Sequence, residues 1–154
     1  MSHITRPVVD PFQYLIEDHQ KVSTLLEEMD STTEESVETR KDLFSIIDAA
    51  LTLHAELEEE ILYPVLENLD ETHDTTMESY EEHHLVKQLL EELQTADMQS
   101  EEWTAKFTVL KENVEHHVEE EEQILIPSAS KLLSKKELEE LGEQIEDWLR
   151  KKEL

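Results

Sequence analysis

The sequence contains no cysteine, and it has only one glycine and four prolines among 154 residues. The lack of cysteine excludes disulfides, thiolate metal sites and thiol catalysis. Because glycine and proline supply many tight turns, their scarcity disfavours a protein built from short strands. The abundant leucine and glutamate are good helix formers. The composition therefore predicts an all-α protein, and the length predicts a single domain.

Basic residues are also scarce, since 13 Lys and Arg face 40 Asp and Glu and the formal charge is −27. Nucleic acid and anionic membrane surfaces would be repelled by this charge, so we expect neither as a partner, whereas cations would be attracted. No run approaches the roughly 20 apolar residues of a membrane span, and the N-terminal stretch has no signal-peptide core. We expect a cytoplasmic protein that is a monomer or a homodimer.

Apolar residues recur at steps of three and four, which predicts four long helices and a shorter fifth. We expect the first helix to begin with Asp10 as its N-cap and Pro11 at its first position, the third to run over about 75–96, and the fourth to be capped near Ser100. A capping box over 134–137 begins the fifth. Short connections favour antiparallel neighbours. The prediction is an up-down antiparallel four-helix bundle over 10–133, with an additional short C-terminal amphipathic helix over 134–152, packed on the bundle or on a partner.

The chain repeats itself. The stretch "HAELEEEILYP", which begins at His54, and the stretch "HVEEEEQILIP", which begins at His117, agree at seven of eleven positions. A second pair, "DHQKVSTLLEEM" from Asp18 and "EHHLVKQLLEEL" from Glu82, agrees at six of twelve. The offsets of 63 and 64 residues mean that the first two helices are echoed by the next two. The repeat therefore predicts a bundle with approximate two-fold symmetry.

Each long helix carries a histidine within its apolar stripe, and two of these histidines are followed four residues later by a glutamate on the same face. These six residues are His19, His54, Glu58, His83, His117 and Glu121. A lone histidine in such a stripe is usually a hydrogen-bonded core residue. Burying four imidazoles and two carboxylates together, however, costs several kcal/mol per charged group unless a partner compensates. The six therefore predict a metal site.

Imidazole and carboxylate ligands without thiolate suit iron, with manganese as a second possibility. Two ions are favoured over one, because six side chains exceed what a single ion with an open position would take. By the symmetry of the repeat, we expect His19 and His54 to share one ion and His83 and His117 to share the other. Two carboxylates can also bridge a metal pair.

Several neighbouring residues are interpreted as lying outside the ligand set. Five glutamates are expected on solvent-exposed helix faces: Glu59, Glu60, Glu119, Glu120 and Glu122. His84 and His116 each follow or precede a proposed ligand by one residue, about 100° around the helix, and are expected to flank the site. His3 and His73 are expected in solvent. Tyr80 is either a core residue or part of the cavity wall, and Pro64 and Pro127 should kink or end their helices.

The doubled H-x3-E-x5-P pattern, preceded in each half by Asp or Glu, His and a Leu-Leu-Glu-Glu run, resembles the hemerythrin-like, or HHE cation-binding, domain. The resemblance covers about residues 10–133. It implies a four-helix bundle that holds a non-haem di-iron centre, oxo- or hydroxo-bridged, in which the six residues are ligands and Glu58 and Glu121 bridge the two iron ions.

One departure from the family pattern bears on function. Oxygen-carrying hemerythrins have two histidines four residues apart on the third helix, but here Ser79 and Lys87 stand four before and four after His83. The remaining set is similar to that of di-iron domains linked to nitric-oxide response and iron-centre repair. Those domains carry an additional cysteine-bearing segment, and this sequence has no cysteine, so neither group matches completely. Whether His84 or Glu122 supplies a further ligand stays open.

The resemblance implies a protein that binds or reduces a small ligand, namely oxygen, nitric oxide or peroxide, and for which reversible oxygen carriage is not the main activity. An iron-handling or sensing module without substrate turnover is the alternative. A metal-free acidic interaction bundle that works through the fifth helix is the third interpretation. Whether the protein is an enzyme is left open at this stage.

Overall fold

The computed structural model describes residues 9–152, so His3 lies outside the described part of the chain. Within that part every regular element is helical, which confirms the all-α prediction. The α-helices are α1 (Pro11–Asp30), α2 (Val37–Leu57), α3 (Tyr63–Leu66), α4 (His73–Thr95), α5 (Glu101–Glu120), α6 (Ile126–Leu132) and α7 (Lys135–Lys152). None of the helices between residues 9 and 152 is long and apolar enough to span a membrane.

The helices begin where the capping residues predict. Asp10 accepts hydrogen bonds from the backbone N–H groups of Phe12 and Gln13, and Pro11 is the first residue of α1. The Ser100 hydroxyl accepts from the N–H of Trp103 at the start of α5. At α7 the capping box is reciprocal, since the Ser134 N–H donates to the Glu137 carboxylate and the Glu137 N–H donates to the Ser134 hydroxyl. These bonds satisfy N–H groups that have no partner within the helix.

Two π-helical turns join the long helices to their short continuations. The turn π1 (Glu58–Leu62) connects α2 to α3, and π2 (Glu121–Leu125) connects α5 to α6. Of the prediction that Pro64 and Pro127 kink or end their helices, the second half is wrong, because the backbone stays helical through both prolines. A proline removes one N–H and crowds the carbonyl four residues earlier. The wider π turn relaxes the α-helical ladder just before each proline, so the chain continues without a break.

The long helices form the predicted bundle. Helices α1 and α2 pack together along their lengths, as do α4 and α5, and contacts between α1 and α5 and between α2 and α4 close the ring. Helix α7 packs across α1 and π1. It buries Leu141 and Ile145, and its Trp148 indole N–H donates a hydrogen bond to Glu60 on π1. The fifth helix thus lies on the bundle, at the end where the π turns are.

The interior of the bundle is divided into two apolar clusters. The first surrounds Leu15, Leu62 and Tyr63 and includes the buried face of α7. The second surrounds Leu26, Ile47 and Trp103 at the other end. Along α1 the chain passes from Leu15 in the first cluster to Val22 in the second, and His19 lies between them. The candidate ligands on the other helices occupy the same level, so the polar site is a layer between two apolar cores.

Candidate metal centre

The structure brings all six predicted residues into this layer. Glu58 and Glu121 are 0% and 1% exposed, and the four histidine side chains are almost as deeply buried. They form two groups that share Glu58. Ligand atoms of His19, His54, Glu58 and Glu121 all lie within 4.8 Å of one another, and so do those of Glu58, His83 and His117.

Each glutamate contacts one histidine on its own helix and one on a neighbouring helix. Glu58 Oε1 lies 3.2 Å from His54 Nε2 and 3.0 Å from His83 Nε2. Glu121 Oε2 lies 3.3 Å from His117 Nε2, and its Oε1 lies 3.1 Å from His19 Nε2. The two carboxylates therefore lie between a His19–His54 pair and a His83–His117 pair, whose ring centroids are 4.9 Å and 4.8 Å apart. This geometry is suited to carboxylates that bridge two ions.

The outer nitrogen of every histidine contacts a carboxylate. His54 Nδ1 lies 2.6 Å from Asp18, and His117 Nδ1 lies 2.6 Å from Glu82. These two acids are equivalents in the repeat, and each reaches across to the next helix. Such contacts fix the ring orientation and leave Nε2 directed toward the centre, as expected around histidine metal ligands.

The other two acids on outer histidine nitrogens are Glu59 and Glu122, which were predicted to be solvent residues outside the site. Glu59 lies 2.8 Å from His83 Nδ1, and Glu122 lies 2.7 Å from His19 Nδ1. Sequence reasoning placed both on the solvent face, and their side chains are indeed 41% and 33% exposed. They nevertheless orient site histidines, because each immediately follows a central glutamate and points toward the adjacent helix. Glu122 thereby contacts the outer nitrogen of His19, and His84 is exposed.

Tyr63 is a site residue that sequence reasoning missed. It is fully buried, and its hydroxyl donates a hydrogen bond to Glu121 Oε2 at 2.7 Å and also lies 3.2 Å from Glu58 Oε1. The same oxygen lies 3.3 Å from His83 Nε2 and 3.4 Å from His117 Nε2. The repeat contained a signal for this residue. The position equivalent to Tyr63 in the second half is the apolar Ile126, so the first half carries a hydroxyl that the second half lacks. The centre is therefore asymmetric, with a hydroxyl beside the His83–His117 pair.

Four further residues were considered in the sequence, and two of them are at least partly buried while two are exposed. Ser79 is buried, but its hydroxyl donates to the Thr75 carbonyl, one turn back on α4. Tyr80 packs edge-on against Tyr63, and its hydroxyl donates a hydrogen bond to Glu67, so it is a core residue. His116 is 69% exposed and pairs with Glu120 on the surface. His73 is also exposed and contacts the Glu67 carbonyl.

The electrostatics of the centre favour ionised carboxylates. Burial and the nearby Glu58 act to raise the pKa of Glu121, but hydrogen bonds from His117 and His19 outweigh them and lower it to about 2. Burial also opposes ionisation of Glu58, yet His54 and the surrounding hydrogen bonds hold its pKa well below the usual value. Burial and the two carboxylates raise the pKa of Tyr63 well above 10. The tyrosine therefore stays a protonated donor at neutral pH.

The histidines show the complementary effect. Burial tends to lower the pKa of His54, but the charge of Glu58, the hydrogen bond to Asp18 and the nearby Glu121 carboxylate raise it well above 6.5. The pKa of His117 is raised in the same way, against burial, by Glu121, Glu58 and Glu82. In the metal-free protein, protons on His54 and His117 thus supply positive charge that a bound cation would otherwise bring.

Two buried polar atoms at the centre fit a cation. Among the buried side-chain atoms of residues 9–152, His54 Nε2 and Glu58 Oε2 have no hydrogen-bond partner. An unpaired buried polar atom costs about 1–3 kcal/mol, and such atoms are rare in folded proteins. Both atoms are of the type that binds metals, and both point into the layer of proposed ligands. The residues present therefore suit a bound metal.

Comparison with known proteins agrees with the site. The model of the hemerythrin HHE cation binding domain matches residues 10–129. The chain belongs to this family. Family membership, together with the two groups of histidines and carboxylates, indicates a cation-binding protein.

Two relatives extend the comparison. A crystal structure of a hemerythrin HHE cation binding domain-containing protein from Mycobacterium kansasii is similar, with a TM-score of 0.80 and 25% identity, over 93% of this chain and 86% of that one. A protein named DNA nickase, from a Nostoc strain, is 32% identical over 131 residues, which are 85% of this chain. The chain spans only 34% of the length of that relative.

Proposed function

We propose that this protein is a non-haem di-iron protein of hemerythrin type that binds or reduces a small ligand, namely oxygen, nitric oxide or peroxide. The observation that carries the proposal is the buried layer in which four imidazoles and two carboxylates from four helices converge, with Glu58 Oε2 and His54 Nε2 unpaired among the described side chains. Mixed nitrogen and oxygen ligands favour iron, and manganese is the second choice. The absence of cysteine is compatible with action in the cytoplasm.

The proposed ligands divide into two sets. His19 and His54 would hold one ion and His83 and His117 the other, with Glu58 and Glu121 shared between them. When bound, the metal pair supplies electrons and open positions for a small ligand. Asp18, Glu59, Glu82 and Glu122 keep the imidazoles oriented, and the two apolar clusters exclude bulk water from the layer.

Tyr63 is proposed as the hydrogen-bond donor of the centre. Its hydroxyl already contacts both glutamates and lies beside His83 and His117. A protonated phenol in a buried site can stabilise negative charge that develops on a ligand. The hydroxyl is on one side only, so we expect reduction of peroxide or nitric oxide to depend on it. Replacing Tyr63 with Phe should lower turnover by about 100–1,000-fold while metal content stays unchanged.

The missing fifth histidine argues against reversible oxygen carriage as the main activity. The position four before His83 is Ser79, whose hydroxyl is used within α4. The position four after is Lys87, which is exposed. With fewer protein ligands on that side, more positions are left for water or a second ligand. We therefore expect the reduced protein to oxidise in air and to react with nitric oxide or peroxide more readily than it stores oxygen.

Metal content tests the ligand set. Elemental analysis of the purified protein should give two irons per chain, and His54→Ala or His117→Ala should lower both occupancy and melting temperature, because a metal that binds only the folded state stabilises it. His84→Ala and His116→Ala are matched controls that should do little. One metal per fully loaded, active chain would contradict the bridged pair.

Turnover then separates the candidate activities. The reduced protein is mixed with oxygen, nitric oxide or peroxide in a stopped-flow instrument, and consumption of each is measured over many equivalents. Sustained consumption supports reduction, whereas stoichiometric iron without consumption supports the iron-handling or sensing alternative. Release of bound oxygen under vacuum would restore oxygen carriage. The charge of −27 opposes binding to DNA, so the activity in the name of the Nostoc relative does not suit this chain.

A further inference from the structure

A small cavity lies next to the four histidines, on the side of the second apolar cluster. Its volume is about 40 Å³. Besides the histidines it is lined by Val22 and Val86, by Leu51 and Val114, and by Ala55 and Val118. Each of these is a pair of repeat equivalents, at offsets of 64 or 63 residues. The cavity is thus built by the two-fold repeat and adjoins the proposed metal layer.

The lining of the cavity restricts what can occupy it. Its only polar side chains are the four histidines, since Tyr63, Glu58 and Glu121 are not part of its wall. A buried water normally needs two to four polar partners, and a charged molecule would lose its hydration here without compensation. The volume exceeds the roughly 10–15 Å³ that one water requires, so a diatomic molecule fits. The chemistry of the wall therefore favours a small uncharged ligand.

Two surface grooves approach the cavity from opposite sides of the bundle. One lies between α1 and α5 and shares His19, Val22, Val114 and Val118 with the cavity wall. The other lies between α2 and α4 and shares Leu51, Ala55, His83 and Val86 with it. In both cases the shared side chains form the wall that separates the cavity from solvent. The side on which this wall has smaller side chains is therefore the easier entrance.

The repeat makes the two sides of this wall directly comparable. At the level of the histidines the wall is Ala55 on the α2–α4 side and its equivalent Val118 on the α1–α5 side. Alanine has two fewer methyl carbons and cannot close the gap as valine does. Leu51 and Val114 reverse this size order. However, they precede the site histidines by three residues and lie toward the second cluster, past the level of the metal layer.

We propose that the small ligand of the centre enters this cavity between α2 and α4, past Ala55. The proposal rests on the proposed function, because the ligand is the one that the metal centre would use. It adds which of the two symmetric sides of the bundle admits that ligand.

The test compares the rate of nitric oxide binding to the reduced, metal-loaded protein and to three variants, after circular dichroism and metal content show that each is folded and loaded. Ala55→Phe should slow association by about tenfold or more, whereas the matched Val118→Phe should change it by less than about twofold. Ala55→Val, which makes the two sides alike, should give an intermediate rate. Equal effects of the two Phe variants, or a larger effect at Val118, would overturn the α2–α4 entrance.

A second measurement uses the metal-free protein and does not depend on the proposed function. Xenon binds apolar cavities, and in crystals under xenon pressure it should occupy the space between Val22, Val86 and the histidines. An empty cavity under pressure would overturn the binding compartment. If the loaded wild-type protein takes up no nitric oxide, the proposed function fails. If it does so while Ala55→Phe is no slower, the entrance fails.

Discussion

At the scale of single residues, the most informative contacts are those on the outer nitrogens of the histidines. Asp18 and Glu82 precede site histidines in the sequence, yet each serves a histidine on the next helix, at 2.6 Å. Glu59 and Glu122 do the same from the residue after each central glutamate. The four acids complete a ring in which every helix orients a histidine of its neighbour.

This ring leads to the first prediction. Asp18→Asn removes the charge beside His54 with almost no change in shape, and it should weaken metal binding by about 10–100-fold, the usual cost of losing such a partner. Glu82→Gln, its repeat equivalent, should act similarly. Glu17→Gln is the control, because Glu17 is exposed and bonds only to Gln13. Affinities come from competition with a chromophoric chelator, and equal affinities for Asp18→Asn and Glu17→Gln would contradict this role.

The second prediction concerns pH. The pKa values of His54 and His117 are raised well above 6.5 in the metal-free protein, so a metal must displace protons from these rings. Metal affinity should therefore rise with pH until the raised pKa values are passed. Because the folded pKa values exceed the unfolded ones, the stability that these histidines give the metal-free protein is fully present below about 6.5 and is lost as the pH rises from there through the raised folded pKa values.

Chelator competition and urea unfolding across this range measure the two trends, which should run in opposite directions. In the His54→Ala variant the dependence of metal affinity on pH should be shallower, because one of the competing protons is gone. A metal affinity that falls as the pH rises above 6.5 would contradict the assignment of these imidazoles as ligands that must lose a proton before they bind metal.

At the scale of elements, the π turns and α7 act together. Each π turn begins at a central glutamate, so the helix widens where Glu58 and Glu121 face the metal layer. Helix α7 contacts π1 through the hydrogen bond from Trp148 to Glu60, and it contacts the last turn of α2 through an ion pair between Lys152 and Glu56. The fifth helix therefore covers the first apolar cluster and contacts the segment that carries Glu58.

The third prediction tests the packing of α7. Leu141 is 3% exposed in the first cluster, so Leu141→Ala should lower the free energy of unfolding by about 2–5 kcal/mol. Gln144→Ala, on the exposed face of the same helix, should change it by less than about 0.5 kcal/mol. Urea unfolding at two protein concentrations gives both values. If Leu141→Ala lowers the free energy of unfolding only at the higher protein concentration, α7 packs on a second copy of the chain instead.

At the scale of the whole molecule, the charge of −27 sets the long-range electrostatics. Few of the 40 acidic residues have a basic partner, because only 13 lysines and arginines are available. Like charges on a compact surface repel one another and favour expansion of the chain. The same field concentrates cations near the bundle, which suits a protein that must load metal.

The fourth prediction follows from this repulsion. Raising sodium chloride should raise the melting temperature of the metal-free protein, with each kcal/mol worth about 2–4 °C at this size, because salt screens the exposed charges. Potassium chloride at equal ionic strength should act equally, since the effect is one of screening. A melting temperature that falls steadily with salt would show that surface ion pairs outweigh the repulsion.

The sequence by itself determined the features that depend on local order along the chain. Periodicity and caps such as Asp10 and Ser134 identify the helices and where they begin, because helix formation depends on residues three and four apart. The repeat identified His19, His54, Glu58, His83, His117 and Glu121, since buried polar residues in register stand out within apolar stripes. The pairing of the histidines followed from the same symmetry.

Only the tertiary structure decided which side chains meet across helices. Glu59 and Glu122 were expected in solvent, because the histidines that they contact lie on neighbouring helices. Tyr63 was not singled out from the sequence, and only the packing of four helices places its hydroxyl between Glu58 and Glu121. The cavity beside Ala55 likewise exists only between elements. Contacts of this kind depend on the rotation and depth at which helices pack, and no spacing along one chain segment encodes them.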